Sequence, residues 1–257
     1  MLHLSQIILG ILLAAIITLL AWQMGALSVS GAVAAWTVGA IVFGFGGWAS
    51  ALPLLLFFGT STALSRWRRR FKETLGYEKG GRRDGGQVLA NGGIAAGCIL
   101  LPFLFPRFGG AHAHLLFLAA LAAANADTWA TEIGSALGGQ PYDLRTGRSA
   151  RPGTSGAVSL GGTLAALAGA ALIGCFASDW LSRGVVTAAG LTGALFDSVL
   201  GATAQAQWRD PNHPERFTEH SQPGPPVHGW RAMTNDAVNF LCSLVATCLL
   251  EMFHKIY

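Results

Sequence analysis

Seven long apolar blocks, over residues 7–22, 31–50, 88–105, 114–126, 156–176, 185–206 and 237–252, constrain this chain more than any other feature. Each approaches or reaches the roughly 20 residues that cross a bilayer as a helix. Charged residues make up only 12% of the 257 positions, about half the share usual in soluble domains. A soluble fold is therefore excluded, and the expected class is all-α, a polytopic transmembrane helical bundle. The first block lacks a basic leader and a small-residue cleavage site, so it reads as a retained helix. The whole chain, 1–257, reads as one integral membrane domain.

Charge placement predicts orientation. Arg66, Arg68, Arg69, Arg70, Lys72, Lys79, Arg82 and Arg83 fall in one connection, near 65–86. Arg145, Arg148 and Arg151 fall in a second, near 140–155, and Arg209, Arg216 and Arg231 in a third, near 207–233. Of the 17 Lys and Arg residues only Arg107, Arg183 and Lys255 lie elsewhere. Basic short loops stay in the cytoplasm, so a multi-pass protein of the cell membrane with these three loops cytoplasmic is expected. Residues 31–63 are too long for one span. A break at Gly44–Gly47 gives eight helices with both termini outside, and a single kinked span gives seven. The four cysteines, Cys98, Cys175, Cys242 and Cys248, lack metal-type spacing and read as small buried hydrophobes.

Polar groups inside apolar blocks are costly and mark function. In Asn125-Ala-Asp127-Thr-Trp-Ala-Thr-Glu132-Ile-Gly134, helical projection puts Asn125, Thr128 and Glu132 on one face and Asp127, Thr131, Gly134 and Gly138 on another. Asp127 and Glu132 are about 140° apart, too far to share an ion on an unbroken helix. Asp197 lies in the middle of its block, with Gly201 and Gln205 on the same flank. Asn235, Asn239 and Ser243 form a third stripe, where Thr234 and Asp236 read equally well as helix cap and dipole partner. Asn91, near a helix start, belongs to the same class. Ordinary readings compete: a helix end in headgroup water for Asp127, and a structural acid paired to Arg for Asp197.

The segment Arg145-Thr-Gly-Arg148-Ser149-Ala-Arg151-Pro-Gly153-Thr154-Ser155-Gly156 offers guanidiniums, hydroxyls and glycine-freed N–H groups, then opens a helix at Gly156. Arginine grips phosphate in bidentate fashion, and helix N-termini attract anions. A topogenic loop of turn residues is the plain alternative. Gly80-Gly-Arg82-Arg83-Asp84 enters the membrane in a similar setting, with anionic lipid headgroups as its plain alternative. Nucleic acid is excluded as a partner, because no aromatics interleave the basic residues. Carboxylates at membrane depth beside Arg/Gly loops suit Mg²⁺ bridging to nucleotide phosphates, with a lipid phosphate arriving from the bilayer.

These motifs, together with Gln87-Val-Leu-Ala-Asn91-Gly, Asp197-Ser-Val-Leu-Gly201 and Thr234-Asn-Asp236-Ala-Val-Asn239, resemble the family of integral membrane proteins that contains plant phytyl-phosphate kinase and animal transmembrane protein 19. The resemblance covers nearly the whole chain. It implies phosphoryl transfer from CTP, or another nucleotide, to an isoprenyl monophosphate such as phytyl or geranylgeranyl phosphate. On that reading Asp127, Asp197, Arg148 and Arg151 act at the reacting phosphates, and Asp127, Glu132, Asp197 and Asp236 are the candidate Mg²⁺ ligands. Arg82, Arg83, Asn91, Asn125 and Asn239 would help to hold and orient the substrate and nucleotide phosphates. Arg145, Ser149, Gly153, Thr154, Ser155 and Gly156 belong to the same expected set for substrate and nucleotide phosphates. His228 reads as structural. A CDP-lipid-forming cytidylyltransferase and a lipid or small-molecule transporter are the rival functions.

Overall fold

The computed structural model describes residues 4–74, 82–136, 139–210, 217–219 and 222–256, of which 68–74 and 254–256 are described as backbone only. Lys79, Gly80, Gly81, Gly138 and Arg216, singled out above, lie outside the described residues, as do the side chains of Arg68, Arg69, Arg70 and Lys72. Seven helices follow one another: α1 (Leu4–Gln23), α2 (Val29–Thr74), α3 (Gly85–Leu104), α4 (Gly110–Gly134), α5 (Leu160–Gly174), α6 (Trp180–Thr203) and α7 (Asn235–Ile256). Two antiparallel pairs of two-residue strands sit in the connections: β1 (Tyr142–Asp143) with β2 (Ala157–Val158), and β3 (Trp208–Arg209) with β4 (Phe217–Thr218). Among the described residues, five helices, α1, α2, α3, α6 and α7, are long and apolar enough to cross a membrane.

The choice between seven and eight turns on α2. A straight helix of its 46 residues would be about 69 Å long. Instead the guanidinium of Arg66, near the end of α2, donates to the carbonyl of Met24, just before its start, at 2.8 Å. The helix therefore doubles back. It does so at Gly47, whose φ of 63° and ψ of −162° belong to a region open essentially to glycine alone. Gln6 Nε2 donates to the Gly44 carbonyl at 3.1 Å, supplying a partner next to the break. The described residues thus form eight helical segments, with the break inside the Gly44–Gly47 interval.

Helix α4 is the axis. It packs against α2, α3, α5, α6 and α7, whereas α1 packs against α2. Its run of alanines, Ala119, Ala120, Ala122, Ala123, Ala124 and Ala126, is buried, and small residues let helices approach closely in lipid. A Cβ on Gly190 of α6 would fall 2.6 Å from that of Ala122, and one on Gly193 would fall 2.7 Å from that of Ala123. Cys98 and Cys242 are buried as expected. Cys175 and Cys248 instead face outward from the bundle, where bilayer hydrocarbon would accept an apolar side chain.

Side-chain caps fix where helices begin. Asp84 and Gln87 form a reciprocal capping box on α3, Ser159 caps α5, Asp179 caps α6, and Thr234 Oγ1 accepts from the Ala237 N–H at the start of α7. Two boundaries differ from the sequence reading. Helix α5 starts at Leu160, not Gly156, because residues 157–158 pair with β1 and Ser159 takes the cap. The basic connection predicted from residue 65 begins as helix as far as Thr74, since Arg, Lys and Glu are good helix formers.

Candidate functional site

All three basic connections meet at one end of the bundle. Arg145 reaches His228 at 3.2 Å, and Gly86 lies against Asp236, just past the third connection, where a Cβ would fall 2.6 Å from Asp236 Oδ2. Just inside that end, the α4–α6 packing brings two acids together. Asp127 and Asp197 lie within electrostatic range of one another and of Glu219. The thiol of Cys242, on α7, points at Asp197 Oδ2 from 3.5 Å. The described residues contain no cluster of three His, Cys, Asp or Glu side chains suited to a metal.

Glu132 also lies within electrostatic range of Asp127, but it and Asp236 have other close partners. Glu132 accepts from Ser65 Oγ at 2.9 Å, and Arg83 Nη2 donates to the same hydroxyl at 3.5 Å. Burial lowers the pKa of the Arg83 guanidinium, and the negative charge of Glu132 opposes that shift. Asp236 lies beside Asp84 and Gly86 at the first turn of α3, not with Asp127 and Asp197. Asn125 is fully buried: its amide donates to the Gly169 carbonyl of α5 at 2.7 Å and its carbonyl accepts from Thr60 of α2 at 3.5 Å. It ties three helices together and lines neither cavity described below.

The 142–159 connection is built around a turn and a hairpin. Asp143 Oδ1 accepts from the N–H groups of Arg145 (2.8 Å) and Thr146 (3.0 Å). Desolvation raises its pKa, but these N–H groups and the Arg145 charge together outweigh it and hold the carboxyl below its ordinary value. Gly156, at φ 75°, lies against the backbone of Ala202, and a Cβ on Gly201 would fall 2.8 Å from the Gly156 nitrogen. The loop is thus pressed onto the end of α6, one turn beyond Asp197. Gln205, 1% exposed, accepts from Ser155 Oγ at 3.1 Å and donates to Asn235 at 3.5 Å. His228 Nε2 donates to the Ala202 carbonyl at 3.1 Å, which leaves Nδ1 to accept from Arg145 Nη1. The histidine therefore aims an arginine. Ser149 meets Gln140 and lines the site, whereas Arg148 is exposed and does not.

Two cavities open here. The first, about 700 Å³, runs between α1 and the two halves of α2, with Arg66, Arg82, Arg83, Ser65 and Glu132 at its mouth. Asn91 and Asn239 line it as well. The second, about 1180 Å³, is lined by Arg145, Arg151, Ser149, Gly153, Thr154, Ser155 and Gly156, and by Asp197 and Glu219. Asp127, Thr131 and Asn235 belong to both walls. Sequence reasoning did not assign Ser65, Gln205, Asn235, His228 or Cys242 to the site. Gln205 and Asn235 carried a signal, a polar stripe at helical spacing. Ser65 and Cys242 carried none, being ordinary small residues in apolar or basic surroundings.

Comparison with known proteins adds kinship. The family model described as "Integral membrane protein DUF92" matches residues 12–247. Protein PGR of Arabidopsis thaliana is 29% identical over 98% of this chain and 97% of its own length. Protein VTE6, chloroplastic, of the same plant is 32% identical over 70% of this chain and 56% of its own. An uncharacterized membrane protein of Methanocaldococcus jannaschii, MJ0933, is 31% identical over 77% of this chain and 83% of its own. No solved structure matches the chain.

Proposed function

Since the chain belongs to the DUF92 family of integral membrane proteins, we propose that it is a membrane-embedded prenyl-phosphate kinase, moving the terminal phosphoryl group of CTP, or another nucleotide, to an isoprenyl monophosphate. One observation carries the reading: Asp127 stands in a wall shared by two cavities of different character. The first joins an apolar interior to an arginine-lined mouth, which suits a lipid phosphate. The second is larger, and its arginines, hydroxyls and glycine-rich loop suit a nucleotide triphosphate. Kinship with plant VTE6 and the motif resemblance to phytyl-phosphate kinase support it.

The acceptor lies with its phosphate at Arg82 and Arg83, its chain running inward. Arg145, held by His228, and Arg151 grip the nucleotide phosphates beside the N–H groups of the 153–156 turn. An oxygen of the acceptor phosphate attacks the terminal phosphorus of the nucleotide. The bond to the nucleoside diphosphate breaks, and that group leaves with the electron pair. The attacking oxygen is already ionised, so no strong base is required. Asp127 and Asp197 fit Mg²⁺, because this ion takes one or two carboxylates and completes its shell with water and phosphate oxygens. When bound it would neutralise charge on the phosphates.

Asp127→Asn tests this directly. Turnover of geranylgeranyl monophosphate with CTP and Mg²⁺ should fall by about 10³-fold, while the KM for the lipid changes little. Wild-type turnover in this variant would refute the reading. A CDP-lipid and pyrophosphate as products would establish the cytidylyltransferase instead.

A further inference from the structure

The first cavity has a floor, and the floor has a consequence for the substrate. Inward from Arg66 and Ser65 its lining on the returning half of α2 passes through Thr62, Phe58 and Phe57 to Leu54. The outgoing half contributes Val38, Gly39 and Phe43, and α1 contributes Ala21, Thr18 and Ala14. Thr18 bonds its own helix, Oγ1 to the Ala14 carbonyl at 2.8 Å, so it makes no demand on a ligand. The lining reaches no further than Ala14, Phe43 and Leu54. A Cβ on Gly10 would lie 2.6 Å from the Gly44 nitrogen, so the two backbones touch there. Phe43 is packed edge-on against Trp48, with centroids 4.9 Å apart, just past the reversal at Gly47.

We propose that this closed end measures the acceptor's hydrocarbon chain, with Ala14, Phe43 and Leu54 setting the greatest length. The inference rests on the prenyl-phosphate reading given above. An apolar blind channel under a guanidinium mouth fits an amphiphile with an anionic head and a tail of limited length. Along the helix, Ser65 and Leu54 are about 16 Å apart. Three extended backbone bonds span about 3.5 Å, so the four chain bonds of an isoprene unit span about 4.7 Å. The channel therefore holds three to four units, the length of farnesyl or geranylgeranyl chains. Removing the Phe43 ring deepens the channel, and a larger side chain at position 54 makes it shallower.

The test uses the full chain in phosphatidylcholine nanodiscs with geranyl, farnesyl, geranylgeranyl and solanesyl monophosphates, CTP and Mg²⁺. The wild type should prefer geranylgeranyl over solanesyl phosphate by about tenfold or more in kcat/KM. Phe43→Ala should shrink that preference. Leu54→Trp should shift preference from geranylgeranyl toward geranyl phosphate. Identical chain-length profiles in all three proteins would overturn the ruler and leave the kinase standing. No turnover of any monophosphate with any nucleotide would overturn the kinase. Native mass spectrometry of the same four lipids would then read the ruler alone. An occupancy order matching the one above supports it, and equal occupancy in every variant refutes it.

Discussion

Asp127 and Glu132 share one helix yet face different neighbours. Asp127 lies within electrostatic range of Asp197, and Glu132 bonds Ser65 and, through it, Arg83. Their roles should separate in kinetics. Glu132→Gln weakens the hold on Arg83, so KM for the lipid phosphate should rise by about tenfold, with kcat reduced far less than in Asp127→Asn. An equal loss of kcat in both variants would place Glu132 at the reacting phosphates. Asp143 allows a test by pH. Its folded-state pKa is depressed, so its support of the 143–146 turn is complete above the unfolded value, about 3.9, and is lost as pH falls through the lower folded value. Nucleotide affinity of Asp143→Asn should therefore be weaker than wild type at neutral pH, and the gap should close only in strong acid. The helical projection from sequence put Asp127 and Glu132 on different faces, and α4 is unbroken there, yet both acids line the first cavity. It could not find Ser65 or Cys242, whose partners lie on other helices, and it could not tell that the amide of Asn125 is committed to Gly169 and Thr60.

The reversal of α2 and the seating of the 142–159 loop both depend on glycine at elements' ends. At Gly47 any side chain must occupy a backbone region that costs about 1–3 kcal/mol. Gly47→Ala should lower the melting temperature in detergent and loosen the first cavity, because the two halves of α2 form opposite walls of it. Gly156→Val combines a positive φ with a clash on Ala202. It should leave the bundle folded but abolish nucleotide retention, measured by equilibrium dialysis with labelled CTP. Retention at the wild-type level would show that the loop does not hold the nucleotide. The glycines at 44–47 signalled a break in the sequence, although a kink and a full reversal share the same residues. Contact between Arg66 and Met24 distinguishes them. The late start of α5 was hidden because Ser155 and Ser159 are both acceptable caps in isolation, and only the pairing of β1 with β2 selects Ser159.

At the scale of the whole molecule, the apolar blocks and the placement of Arg and Lys foretold a helical bundle with one basic end. The two cavities were not legible, because each is walled by segments far apart in sequence: α1 with both halves of α2, and the 142–159 loop with α6, residues 217–219, Gln222 and His228. If the basic end faces the cytoplasm, Arg148→Cys in a background lacking the four native cysteines should react with an impermeant maleimide only in inside-out vesicles. Labelling only in right-side-out vesicles would invert the orientation. The central claim is phosphoryl transfer between the two cavities across Asp127, and following the label from nucleotide to lipid tests it most directly. Purified protein is given geranylgeranyl monophosphate, Mg²⁺ and CTP labelled with ³²P at either the terminal or the innermost phosphate. Terminal label should appear in geranylgeranyl diphosphate and innermost label should remain in CDP. Innermost label in the lipid, or no label in the lipid from CTP or any other nucleotide, would contradict that transfer.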